Sequence, residues 1–214
     1  MNVFEKTIGH TKTILKHKIE VCKICFKFGL YWQGIIHDNS KFSPIEFFNG
    51  IKYYQGDKSP IEAEKQDKGY SMGWAHHHNK NKHHWLYWID FNNVNEVSPM
   101  RMPYKYALEA IADWIGAGKV YSKNAGKVFE WDEPYEYYKK NTRVGSDKNI
   151  HYQTRQLWDI ILFDLKCNGI DYVSDLIKNG YYKQIYDTPK TKNGKYTIFK
   201  QDEYNNLILE HYSD

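Results

Sequence analysis

The sequence predicts a mostly α-helical bundle followed by a small C-terminal α+β appendage. Three observations carry this: an apolar stripe at helical spacing opens the chain, Ser-Pro and Met-Pro helix starts recur along it, and a segment of different character with an Asn-Gly turn closes it. The 214 residues suffice for one domain with a real core plus a small addition. At 41% hydrophobic and 17% aromatic the chain is too apolar for disorder, and 26% charged residues suit a soluble surface.

Over about residues 3–28, His10, Ile14, His17, Val21, Ile24 and Phe28 recur at steps of three and four and share one helix face, with Gly29 as the stop. His17 stands mid-stripe and is expected to point inward. YWQGIIHDNSKF follows, placing His37-Asp38 after two isoleucines. Ser43-Pro44-Ile45-Glu46 reads as a helix start, with Ser43 as cap, Pro44 in the first turn and Glu46 closing a capping box. The signal recurs at Ser59-Pro60-Ile61-Glu62, and a helix from there to about residue 80 is expected. Its stripe Ala63, Asp67, Tyr70, Trp74, His77, Asn81 turns polar at the end, where chemistry fits. HHWLYWI is an apolar segment and DFNNVNEVSP a loop.

Met102-Pro103 opens another helix, expected to end near Gly116-Ala117-Gly118, with Tyr106, Glu109, Ala110, Asp113 and Ala117 close to one face. Asp132-Glu133-Pro134 starts a short aromatic helix, and residues 150–166 form an apolar one through Leu157, Trp158, Ile161, Leu162 and Leu165. In the tail, Lys192-Asn193-Gly194-Lys195 lies between Tyr186 and Tyr196-Thr197-Ile198-Phe199, a hairpin signal, and a short helix is expected over 202–211. The division is therefore a helical domain over 1–166 and an appendage over 167–214.

Net charge is +4, which suits an anionic substrate and offers little to nucleic acid. MNVFEKTIGHTK lacks the apolar core of a signal peptide, and no run approaches the ~18 apolar residues of a membrane span. A cytoplasmic protein with no membrane partner is expected. Three cysteines argue against a disulfide framework. Cys22 and Cys25 fall within a helical pattern, and Cys167 alone cannot complete a four-ligand zinc site, so the pair is read as packing.

The histidines carry the chemistry. Eight of the ten precede residue 85: His10, His17, His37, His76, His77, His78, His83 and His84. Asp38 and Asp113 fall on or beside expected helices. Imidazole and carboxylate together suit a divalent Mn, Fe, Co, Ni or Zn ion. The structural alternative for His37-Asp38 is a hydrogen-bonded pair at a helix end. His76 and His78 read as surface residues, and His10 as a core or supporting one.

The order His17, His37-Asp38, Asp113 resembles the HD-domain superfamily, and His37-Asp38-Asn39-Ser40-Lys41 is similar to the H-D-x-x-K of HD phosphodiesterases. HDNSKFSPIEF, the His77–Trp85 segment and MPYKYALEAIADWIGAG also resemble an uncharacterised family of bacterial and phage proteins. The sequence departs from HD phosphodiesterases in the short gap between His77 and His83, in Trp85 where some of them carry Glu, and in lacking a G-Y-P segment. The resemblance implies an HD-like helical bundle holding one or two metal ions through His17, His37, Asp38 and Asp113, with His77 and His83 completing a second site. Adjacent helical residues point about 100° apart, so one of His83 and His84 ligates and the other, His84 in this reading, faces substrate or packs. Lys41, four residues from His37, shares its side if helical and can meet a phosphate. Asn81 is a second substrate-binding candidate, with Glu109 as support.

The implied function is a metal-dependent phosphohydrolase acting on a small phosphorylated substrate, a nucleotide or another phosphate ester. Two others share the ligand list: a di-iron HD-type oxygenase, and a non-catalytic, phage-like interaction protein stapled by its metal.

Overall fold

A computed structural model describes residues 1–56, 59–94, 96–140 and 149–187, and the tail hairpin and last helix expected above lie outside them. Helix α1 (Val3–Lys27) opens on a capping box. Asn2 Oδ1 accepts from the Glu5 amide at 2.9 Å, and Glu5 Oε2 accepts from the Asn2 amide at 3.0 Å. It ends at Gly29, whose φ of +76° continues no helix. The expected stripe, His10 to Ile24, is buried.

Short α2 (Tyr31–Ile36) leads through His37-Asp38 into a 3₁₀ turn (Asn39–Phe42) and α3 (Pro44–Tyr53). Ser43 caps α3, but only half of the expected box forms. The Glu46 amide donates to Ser43 Oγ, while the Glu46 carboxylate turns to two histidines. The single helix expected from Ser59 to about residue 80 is two, α4 (Pro60–Lys68) and α5 (Met72–Lys80). Gly69 ends α4 with φ +79°, and Ser71 starts α5 by accepting from the Trp74 amide at 3.0 Å.

A 3₁₀ turn (Trp85–Trp88) precedes β1 (Ile89–Phe91), which pairs antiparallel with β2 (Val97–Pro99), Asp90 opposite Ser98. This hairpin replaces the expected loop. Asn92 closes it, its Oδ1 accepting from the amides of Val94 and Glu96.

Helix α6 (Tyr104–Asn124) continues through Gly116–Gly118, where a stop was expected. Those glycines serve close packing. A Cβ on Gly116 would lie 2.5 Å from Val21 Cγ2 and 3.0 Å from the Val21 nitrogen. Helix α7 (Glu133–Tyr138) is followed by α8 (Tyr152–Lys178), which breaks at Gly169 (φ 76°), and by α9 (Tyr181–Tyr186).

The core joins α1, α6 and α8: Val21 and Ile24, Leu108, Ile111 and Ile115, Trp158, Ile161 and Leu165 are buried together. The Trp158 indole donates to the Ala107 carbonyl at 2.9 Å. The domain division expected at residue 167 falls near the Gly169 break. From there to residue 187 the chain is helical, and Ile170, Val173, Tyr182 and Tyr186 enter the same core. No helix among the described residues is long and apolar enough to cross a membrane.

Candidate metal centre

Four elements deliver polar side chains to one buried point. Helix α1 brings His17 from mid-stripe. The turn after α2 brings His37 and Asp38. Helix α5 and the segment after it bring His77, His83 and His84, and α6 brings Asp113 and Glu109 from the face it turns toward α1. The turn is the unusual piece. Asp38 has φ 55° and is the one non-glycine residue in the left-handed region among those described. Lys18, next to His17, spans the gap to that turn: its Nζ donates to the Ile35 and His37 carbonyls at 2.8 and 2.6 Å and to Asn39 Oδ1 at 2.8 Å. A cation there satisfies the open carbonyls at the end of α2.

Two quartets of donors result, and Asp38 belongs to both. In one, ligand atoms of His17, His37, Asp38 and Asp113 lie within 4.8 Å of one another; in the other, those of Asp38, His77, His83 and His84 do. The Asp38 oxygens divide between them. Oδ2 is 3.5 Å from Nε2 of both His17 and His37, whereas Oδ1 is 3.4 Å from His77 Nε2 and 3.5 Å from His83 Nε2. Asp113 Oδ1 adds to the first group, 2.9 Å from His17 Nε2 and 3.4 Å from His37 Nε2.

The rings are held from behind. Glu109 Oε1 lies 3.1 Å from His37 Nδ1 and 3.3 Å from His83 Nδ1, so one buried carboxylate orients two imidazoles. Glu46 does the same for His77, at 2.7 Å from its Nδ1, and its other oxygen holds His76 at 2.6 Å. An Nδ1–H given to a carboxylate leaves the Nε2 lone pair pointing into the centre, the arrangement that metal-binding histidines require. Glu109 also forms a third group, a triad, with His37 and His83. Its contacts to both Nδ1 atoms make it their orienting acceptor.

A metal fits these residues. Nε2 of His17, His37, His83 and His84 and both Asp38 oxygens are buried and make no aligned hydrogen bond. Buried polar atoms are rarely left so. They approach one another at ion-pair distances because they converge on shared points. Ring nitrogens and carboxylates with no thiolate suit a divalent transition ion.

The charges are set by this crowding. Burial works against the imidazolium of His37, but Asp38, Asp113 and Glu109 outweigh it and push His37 up to about 10. Burial likewise opposes ionisation of Asp38 and Asp113, yet the surrounding histidines, with Lys41 at Asp38, hold both well below the usual carboxylate range. His84 goes the other way: burial, then His83 and His77, push it well down, so it stays neutral. Lys41 Nζ sits 2.6 Å from Asp38 Oδ2, and Asp38 raises its pKa against the pull of burial.

The centre opens into a cleft of about 880 Å³. Lys41, Lys65, Trp74, Trp114 and Tyr121 line it together with His17, Asp38, His77, His83, His84 and Asp113, while His37 lies behind. The six expected metal ligands, His84 and Lys41 are thus brought together. Asn81, expected at the substrate, stands behind His77: its amide donates to Ser40 Oγ at 2.7 Å and to the His77 carbonyl at 2.8 Å. His10 packs against Phe47 and Tyr54, and burial, with Lys41, lowers it to about 4. Lys18 and the orienting role of Glu46 had no signal in the sequence beyond proximity to a ligand or a cap.

A sequence model of a family of unknown function (DUF5662) matches residues 6–162, which include every residue of the centre. No curated protein matches the chain, and no solved structure does.

Proposed function

The chain belongs to the DUF5662 family, to which no activity is attached, and from its centre we propose that it is a metal-dependent phosphohydrolase of HD type. The observation that carries this reading is the pair of donor quartets sharing Asp38, with a lysine beside them at the floor of a cleft. His17, His37, Asp38 and Asp113 would hold one ion, and Asp38, His77, His83 and His84 a second. Bound there, a divalent ion lowers the pKa of a coordinated water toward ~7 and draws charge from phosphoryl oxygens.

The chain's own residues do the rest. Lys41 keeps its proton and neutralises an entering phosphate. His84, held neutral by burial and by His83 and His77, keeps its Nε2 lone pair free to ligate. The aromatic walls Trp74, Trp114 and Tyr121 keep bulk water from the floor and give a substrate with a flat, apolar portion a surface to lie on. A nucleotide fits this description, as do other aromatic phosphate esters.

The test is phosphate release from a panel of nucleotides and aromatic phosphate esters by protein loaded in turn with Mn, Fe, Co, Ni and Zn. Hydrolysis that disappears in Asp38→Asn and shows a raised KM in Lys41→Ala supports the proposal. Loaded protein that is inert on the whole panel refutes it. Two tightly held irons and substrate-dependent oxygen uptake would assign the same ligands to an oxygenase instead.

A further inference from the structure

The outer face of α1 carries an apolar stripe of its own. Phe4, Ile8, Leu15, Ile19 and Phe26 repeat at four- and seven-residue steps, all of them exposed, Phe4 at 73%. They form a second stripe, well round the helix from the buried one. Helix α2 extends it. Gly34 packs on Cys22 and Phe26, the Phe26 and Tyr31 rings meet edge to face at 5.2 Å, and Trp32 and Ile35 stand 66% and 54% exposed beside them. Scattered surface apolar residues need no explanation, but a contiguous face of this extent marks a contact site.

We propose that this face joins two copies of the chain through antiparallel pairing of α1 with its counterpart. The stripe is self-complementary about Leu15: residues equidistant from it pair Phe4 with Phe26, Ile8 with Cys22 and Thr11 with Ile19, and Leu15 meets itself. A two-fold contact demands such a pattern. The charges along one border agree with it. In this pairing Glu5 of one copy lies two residues, about 3 Å along the axis, from the level of Lys23 of the other, and Lys12 lies as far from that of Glu20, so opposite signs come near each other. Helix α2 flanks the C-terminal half of α1, so in the pair its Trp32 and Ile35 lie level with the second copy's Phe4 and Ile8. Each half-exposed aromatic or large aliphatic chain offers on the order of 100 Å². The whole face then approaches the roughly 800 Å² per partner of a stable interface. The metal centre is separate from this face: its one α1 residue, His17, lies on the buried side of that helix.

Sedimentation of the full chain across micromolar concentrations tests it. The expected result is a dimer whose mass halves in Leu15→Glu and Ile19→Glu, with far-UV circular dichroism and bound metal unchanged, since both positions face solvent. In a Cys22→Ser/Cys167→Ser background, Leu15→Cys should oxidise to a covalent dimer, while Lys105→Cys on exposed α6 surface should not. A wild-type monomer, or a dimer indifferent to both glutamates, overturns the proposal. So does a monomer whose stripe becomes accessible to protease only when residues 188–214 are removed, which would give the face to the chain's own C-terminal segment.

Discussion

Asp38, its backbone in the left-handed region, faces one oxygen to His17 and His37 and the other to His77 and His83. The His37-Asp38 pair and its partners were legible in the sequence because ligand types in order survive without knowledge of the turn. The groups behind them were not. Glu46 reads locally as a helix-start residue, and only the packing of α3 on α5 turns it to His77. Lys18 is one of six lysines on α1, and only the path of α2 sets it apart. Glu109 gives a direct prediction. Glu109→Gln keeps the shape but removes the anion shared by His37 and His83, and metal affinity should fall by roughly 10–100-fold in chelator competition. A second prediction concerns protons. Burial, outweighed by Asp38 and its neighbouring carboxylates, leaves the metal-free His37 pKa at about 10, above its ordinary 6.5. A raised pKa gives stability that is complete below the unfolded value and lost as pH rises through the folded one. The metal-free protein should therefore weaken across that interval, while metal entry at neutral pH must expel the proton from Nε2. Titration calorimetry in buffers of different ionisation enthalpy should show proton release at neutral pH, fading as pH passes about 10. Metal uptake with no release at neutral pH would contradict it.

At the scale of elements, the crossing of α1 and α6 decides whether the ligands meet. His17 and Asp113 approach to 2.9 Å because Gly116, one turn past Asp113, lets α6 close onto Val21. Glycine near a helix end is an ordinary stop signal, so the sequence suggested that α6 finishes at residues 116–118. Close approach is the competing use of glycine, and nothing local distinguishes the two. The break at Gly69 is the reverse case, a periodic pattern that ran on through a residue in the left-handed region. For Gly116→Ala two effects compete. Helix propensity favours alanine by about 1 kcal/mol. The new Cβ would sit 2.5 Å from Val21 Cγ2 and 3.0 Å from its backbone nitrogen, which yields only if α1 moves. Overpacking of this kind costs about 1–3 kcal/mol, so the clash should win. The variant should show a lower urea midpoint, and its metal affinity should fall with it as His17 is pushed from Asp113. Gly118→Ala is the control. Its Cβ meets the partly buried Phe129 ring at 2.8 Å, a side chain that can swing aside, so its midpoint should drop less. Equal losses in the two variants would show that the helix crossing is not what Gly116 protects.

Over the whole molecule, polar centre and apolar core lie on different faces of α6. Glu109 and Asp113 face the histidines, while Leu108, Ile111 and Ile115 pack with Trp158, Ile161 and Leu165 of α8. That division was legible, because the apolar periodicity of α8 and the ligand positions of α6 are separate patterns in one sequence. The packing of residues 170–186 into the same core was not, since a glycine after an apolar helix reads as a boundary, and only the contacts of Ile170, Val173, Tyr182 and Tyr186 show the chain continuing into the same core. The separation has a consequence for the metal. If the ion were the staple of the fold, stripping it should unfold the chain, as in proteins whose core cannot stand alone. Here Trp158, Leu162, Ile111 and their neighbours are fully enclosed without any ligand residue. What an ion held there would satisfy is a set of buried donors and carboxylates that costs stability when left unmatched. The metal-free protein should therefore keep its far-UV circular dichroism and melt cooperatively at a lower temperature. Saturation at about a thousand times Kd adds roughly 4 kcal/mol. For a chain of this size that corresponds to a rise in Tm on the order of 10 °C. Asp38→Asn should lose that rise while retaining the fold, because the substitution leaves the α8 packing untouched. Loss of helical signal on chelation would instead make the centre structural, and the reading of Lys41 and the cleft as catalytic machinery would fall with it.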